Sequence, residues 1–116
     1  SPPRWICSHL LPRTTGPILL AHLGSFPCSA ECLQDAVALA AEHPRVFLET
    51  SAVGLTGFID YAVRRVPEKI LFASDMPMMH PSVAWGHLVA SVRDDAVLNR
   101  IAFENAEAFF GGRLSS

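Results

Sequence analysis

The stretch Ile70-Leu71-Phe72-Ala73-Ser74-Asp75-Met76-Pro77 decides how this chain reads. Four apolar residues run without a turn residue into a Ser-Asp pair, and a proline stops the run. Such a run is expected to be a strand buried on both faces. Asp75 stands at its C-terminal end. In parallel α/β folds the loops at that end converge on one mouth, where the chemistry lies. A carboxylate just past a buried strand is costly unless a metal, a cation or hydrogen-bond donors meet it.

Working outward, the same rhythm recurs. Pro17–Ala21 reads as an earlier buried strand that ends in His22-Leu23-Gly24-Ser25, where Gly24 permits a turn that a larger residue would strain. Val46–Ser51 reads as the middle strand, again turning polar at its end. Helices are predicted over Ala30–Glu42, capped by Ser29, and over Thr56–Val66. Two more follow, over Ser82–Val92 with Val83, Trp85, Leu88 and Val89 inward, and from Asp94–Asp95 to Phe110. Gly111-Gly112 stops the last one. Strands alternating with helices over short links are the pattern of parallel βα units. Residues 1–16 hold Pro2, Pro3, Pro12 and Gly16, so they are expected to be irregular with one turn of helix at most, with foreign sequence as the alternative reading. Residues 113–116 are expected to be a frayed tail.

The totals agree with one modest α/β domain. The chain has 116 residues, half of them hydrophobic and 17% charged, which argues against disorder and against two domains. A net charge of −2 gives no electrostatic case for nucleic acid or an anionic membrane. No apolar run approaches the ~20 residues needed to span a bilayer, and none looks like a signal-peptide core. Cys7, Cys28 and Cys32 are an odd number, which favours a reducing, cytoplasmic setting over a disulfide framework. The chain begins Ser-Pro-Pro-Arg without an initiator methionine, and is expected to be a piece of something longer. Neither Gly-x-Gly-x-x-Gly nor Gly-x4-Gly-Lys-[Ser/Thr] occurs, so dinucleotide and P-loop sites have no support.

Three parallel strands would place His22, Ser51 and Asp75 at one end of the sheet. Neighbouring strands lie roughly 5 Å apart, so His22 and Asp75 would be separated by roughly 10 Å at the backbone. Side chains reaching inward from a curved sheet could bracket one ion or one substrate, and a His with an Asp suits a cation such as Zn²⁺. The plainer reading is that His22 is a locally bonded loop residue and Asp75 a turn former. Two ligands also fall short of the three protein ligands a catalytic zinc takes. Cys28-x3-Cys32 has no second Cys/His pair and reads as ordinary thiols. His9, His80 and His87 read as surface or packing residues, and Trp85 as core. Met76, Met78 and Met79 read as loop packing, with a substrate mouth as the alternative.

Four segments together carry a resemblance. They are Ala21-His22-Leu23-Gly24, Val46-Phe47-Leu48-Glu49-Thr50-Ser51, Ile70–Pro77 and Ile101-Ala102-Phe103-Glu104-Asn105-Ala106. In this order they resemble the C-terminal part of the amidohydrolase-related family, metal-dependent hydrolases and decarboxylases on a distorted (β/α)8 barrel. The resemblance covers residues 17–112 and implies α/β architecture with barrel strands six, seven and eight. It implies that His22 corresponds to the strand-six histidine, which binds a metal or contacts water or substrate. It implies that Asp75 corresponds to the strand-eight aspartate, a metal ligand and proton acceptor. Asn105 would be structural, and Glu49 and Ser51 have no assured catalytic counterpart. The family's His-x-His and its strand-five ligand have no counterpart in the sequence.

The resemblance further implies a divalent metal, zinc first, with manganese or magnesium as alternatives. The substrate would be a small carboxylated, lactone or amide compound. The alternative is a non-catalytic βα fragment or pseudoenzyme that folds by pairing its open sheet edges with another chain, including a copy of itself. A receiver-type binding domain using Asp75 ranks last, since the acidic cluster and later lysine of that fold are missing.

Overall fold

The computed structural model describes residues 1–25, 29–53, 55–73 and 81–111. Three parallel strands form one sheet, β1 (Ile18–Leu20), β2 (Val46–Glu49) and β3 (Ile70–Leu71), in the order β1-β2-β3. Ile18 pairs with Val46, Leu20 with Leu48, and Leu48 with Ile70. All four residues of the central strand are buried. The strands are shorter than the sequence reading: β1 gives way to a turn at Ala21, β2 ends before Thr50 and β3 before Phe72.

Side chains alternate along a strand, so Ile18, Leu20, Val46, Leu48 and Ile70 share one face. That face carries the core. Leu33, Ala36, Val37 and Ala40 of α2 (Ala30–Glu42) and Ile59 and Ala62 of α3 (Thr56–Arg65) are buried in it. Leu88 of α4 (Pro81–Ser91) and Ile101 complete it, both fully buried. Leu19, Phe47, Glu49 and Leu71 point to the opposite face. There Leu19 is 40% exposed, while Phe47 is covered by the edge of the Phe109 ring, with centroids 5.3 Å apart.

The α2 reading holds residue for residue, with the Ser29 hydroxyl accepting from the Cys32 N–H at 3.2 Å. The last helix is continuous from Asp95 to Phe110: α5 (Asp95–Asn99) runs through a wider π turn (Arg100–Glu104) into α6 (Asn105–Phe110). Asp94 caps it by accepting from the Ala96 and Val97 N–H groups, and Gly111 ends it at φ 63°.

Two expectations need correction. Residues 1–16 are not irregular: α1 runs over Pro2–Leu10. Pro2 and Pro3 lie in its first turn, where no intrahelical N–H donor is needed, so they start the helix instead of breaking it. Pro3 and Cys7, four apart, are buried, and Arg4 pairs with Asp35 of α2 at 3.1 Å. The Arg45 guanidinium then gathers the carbonyls of Leu11, Thr14 and Gly16 at 2.5, 2.9 and 2.8 Å, which fixes the link to β1. The second correction is the inner face of α4. Ala84 and Leu88 face in, whereas Val83, Trp85 and Val89 are exposed. This helix has apolar residues on most of its circumference, so periodicity does not single out a stripe. Trp85 instead meets the edge of Phe72, with centroids 5.4 Å apart.

Candidate active site

β1 and β2 are adjacent and parallel, so their C-terminal ends deliver His22 and Ser51 to the same place. The chain leaves β1 through a tight turn, Ala21–Gly24, in which His22 (φ 58°) and Leu23 (φ 51°) both lie in the left-handed region. Two consecutive non-glycine residues there cost energy that the surroundings must supply. Part of it comes from Glu49, whose Oε1 accepts the His22 backbone N–H at 2.6 Å. Leu23 is fully buried. Gly24 (φ 69°) closes the turn where a Cβ would stand 2.6 Å from that of Ala36, so its smallness is required as well as its freedom.

The imidazole is held as firmly as the backbone. Its Nδ1 lies 2.7 Å from the Ser51 carbonyl oxygen and 2.9 Å from Ser51 Oγ. A carbonyl can only accept, so this contact is met by a hydrogen on Nδ1, an assignment that in a neutral ring leaves the lone pair on Nε2. The Ser51 hydroxyl donates to Glu49 Oε1, which also accepts the Ser51 N–H at 3.3 Å. Glu49 and Ser51 are 9% and 3% exposed. The order of this chain matters. A nucleophilic serine needs its histidine as the acceptor of its proton, whereas Ser51 gives its proton to Glu49 and is buried. The trio supports a histidine and is no hydrolytic triad.

The sequence reading thus brought His22 and Ser51 together correctly, and missed Glu49. Its signal was present: an acidic residue inside an apolar strand, two before Ser51 and therefore on the same face. Asp75, with Met76, Met78, Met79 and His80, lies outside the described residues, as does Cys28. His9 is exposed at the surface, its Nδ1 2.8 Å from the Trp5 carbonyl oxygen. His87 is partly buried in α4, and Cys7 and Cys32 are free thiols. Among the described residues no group of three His, Cys, Asp or Glu side chains is arranged to hold a metal. His22 fits one place in such a site, since a ligating imidazole donates its other ring N–H to an acceptor such as a carbonyl. Asn105, by contrast, is structural, donating to the carbonyls of Pro67 at 2.6 Å and Ile70 at 2.8 Å.

The amidohydrolase family profile matches residues 4–112. The chain belongs to the amidohydrolase family. The match takes in most of α1 as well as the sheet. No curated protein matches this amidohydrolase-family chain. Among solved structures it is similar to 2,6-dihydroxybenzoate decarboxylase from Rhizobium, with TM-score 0.55 and 22% identity over 65% of this chain and 23% of that one. It is also similar to dihydroxybenzoic acid decarboxylase from Polaromonas sp. JS666, solved with manganese and the inhibitor 2-nitroresorcinol. There the TM-score is 0.61, with 20% identity over 82% of this chain and 33% of that one. The chain therefore spans a third or less of the length of these neighbours. Its three parallel strands and their helices are part of a (β/α)8 barrel. Among the described residues, no helix is long and apolar enough to cross a membrane.

Proposed function

We propose that this chain supplies the strand-six-to-eight portion of a metal-dependent carboxy-lyase or hydrolase site acting on a small carboxylated substrate. The observation that carries the proposal is His22, placed at the C-terminal end of β1 with Nδ1 tied to Ser51. The lone pair then falls on Nε2. His22 and Asp75 would hold the cation, zinc or manganese, completed by ligands from the rest of the barrel. A bound divalent cation supplies Lewis acidity and makes water acidic enough to lose a proton at neutral pH. His22 would hold the water or substrate at Nε2, and Asp75 would take or return the proton. Decarboxylation is placed ahead of hydrolysis because both solved neighbours described above are decarboxylases of dihydroxybenzoates, and such compounds are the first substrates to screen.

A second reading has an observation of its own. β1 and β3 are the outer strands of the three-stranded sheet, and Leu19 is exposed on the face opposite the main core. A non-catalytic fragment would cover these by pairing with another chain. Elemental analysis of the gel-filtered protein separates the two, with His22→Ala and Asp75→Ala run beside it. Stoichiometric metal in the wild type and its loss in both variants support the metal-dependent site. Metal-free protein in every case, eluting as an oligomer, overturns it for this chain in favour of the second reading.

A further inference from the structure

We infer that Glu49 and Ser51 are positioning residues that set which ring nitrogen of His22 bears the hydrogen. The inference rests on reading His22 as a site residue, but its test needs neither metal nor turnover. One carboxylate oxygen, Glu49 Oε1, takes three donors: the His22 N–H, the Ser51 N–H and the Ser51 hydroxyl. The first of these holds the left-handed turn that presents the imidazole. The third consumes the only hydrogen that the Ser51 hydroxyl could give to Nδ1. With its proton committed to Glu49, Ser51 Oγ faces Nδ1 at 2.9 Å as an acceptor, beside its own carbonyl oxygen at 2.7 Å. Both neighbours of Nδ1 therefore accept, and the hydrogen stays on Nδ1.

The dependence on Glu49 is specific. Without its carboxylate, Nδ1 still lies within hydrogen-bond range of the Ser51 hydroxyl, at 2.9 Å. The hydroxyl would turn and donate there, and the ring hydrogen would move to Nε2. A ring with its hydrogen on Nε2 has lost the lone pair at that nitrogen, the one a metal or a reacting proton would use. Glu49 thus acts through Ser51, without touching substrate. It is a buried carboxyl that sequence reading leaves without a role, and burial without partners would be costly.

The test is the tautomer of His22 in metal-free protein, read from long-range ¹H–¹⁵N correlations of imidazole-labelled chain at pH about 8.5, two units above the ordinary imidazole value. His22→Gln assigns the signal. In wild type the Nδ1–H form is expected in about tenfold excess, the worth of one good hydrogen bond. Glu49→Ala should shift the population towards Nε2–H, and Glu49→Ala/Ser51→Ala should restore Nδ1–H, because the Ser51 carbonyl still accepts at Nδ1 and the hydroxyl that could donate there is gone. A role confined to folding would not produce that recovery. Wild type with its hydrogen on Nε2 overturns the inference even if every variant fails to fold. An unchanged tautomer in folded Glu49→Ala overturns it as well. Absence of bound metal would instead count against the proposed function and leave this reading standing.

Discussion

The side-chain amide of Asn105 donates to the carbonyl oxygen of Ile70 at 2.8 Å, joining the last helix to the first residue of β3. The same Nδ2 donates to Pro67 at 2.6 Å, and the side chain is 4% exposed. Two carbonyls at the N-terminal end of the strand, that of Ile70 buried and that of Pro67 partly buried, depend on it. Asn105→Ala is therefore expected to destabilise the chain by about 2–4 kcal/mol, measured by urea denaturation. Asn105→Asp should be worse at pH 7, since a carboxylate would face two carbonyls with no proton to give. That extra loss should shrink as pH falls towards the ordinary aspartate value of about 3.9. Equal stability of the two variants at pH 7 would refute this account.

Gly24 and Ala36 touch for a different reason. The Cβ that alanine would add at Gly24 lands 2.6 Å from the Ala36 Cβ and 3.2 Å from Pro3 Cγ, at a φ of 69°. Gly24→Ala is expected to lower stability by about 2–4 kcal/mol, combining overpacking with left-handed strain. Gly24→Ala/Ala36→Gly should recover the clash but not the strain, and so regain only part of the loss. Thermal melts of the two variants check this, and full recovery would show that the backbone turn is unstrained.

Alkaline pH should pull on the fold in two directions. Burial pushes the Cys7 thiol above its ordinary value of 9.0. In the range above 9.0 the unfolded chain has lost a proton that the folded chain keeps, so this group stabilises below that range and its contribution falls as pH rises. Burial pushes the Lys69 ammonium below its ordinary 10.5, opposed by Glu68. There the folded chain loses its proton first, so stability rises with pH up to 10.5. Lys69 also spans the carbonyls of His43, Pro44 and Val46, all at 3.0 Å. In denaturant melts between pH 8 and 11, Cys7→Ala should flatten the decline above pH 9 and Lys69→Met should steepen it. Cys7 should also react with a thiol reagent at pH 8 far more slowly than the more accessible Cys32.

Much of this molecule is dictated locally. The limits of α2, the Ser29 and Asp94 caps, the stop at Gly111, the turn at Gly24 and the three parallel strands follow from patterns a few residues long. Propensity, capping and alternation act over that range. The family resemblance rested on the same short segments, and the placing of His22 beside Ser51 needed only parallel neighbours of known length. Three features depended on what lies far away in the chain. Pro2 and Pro3 fit a first helical turn, but Asp35 of α2, which pairs with Arg4 of this helix, and Arg45, which fixes the link to β1, lie far along the chain. The face of α4 is chosen by packing, because its apolar residues surround the helix. Glu49 gains its role only when the turn after β1, 27 positions earlier in the chain, brings an N–H to its oxygen. A buried carboxyl is tolerable where donors converge on it, and convergence is a property of the tertiary structure alone.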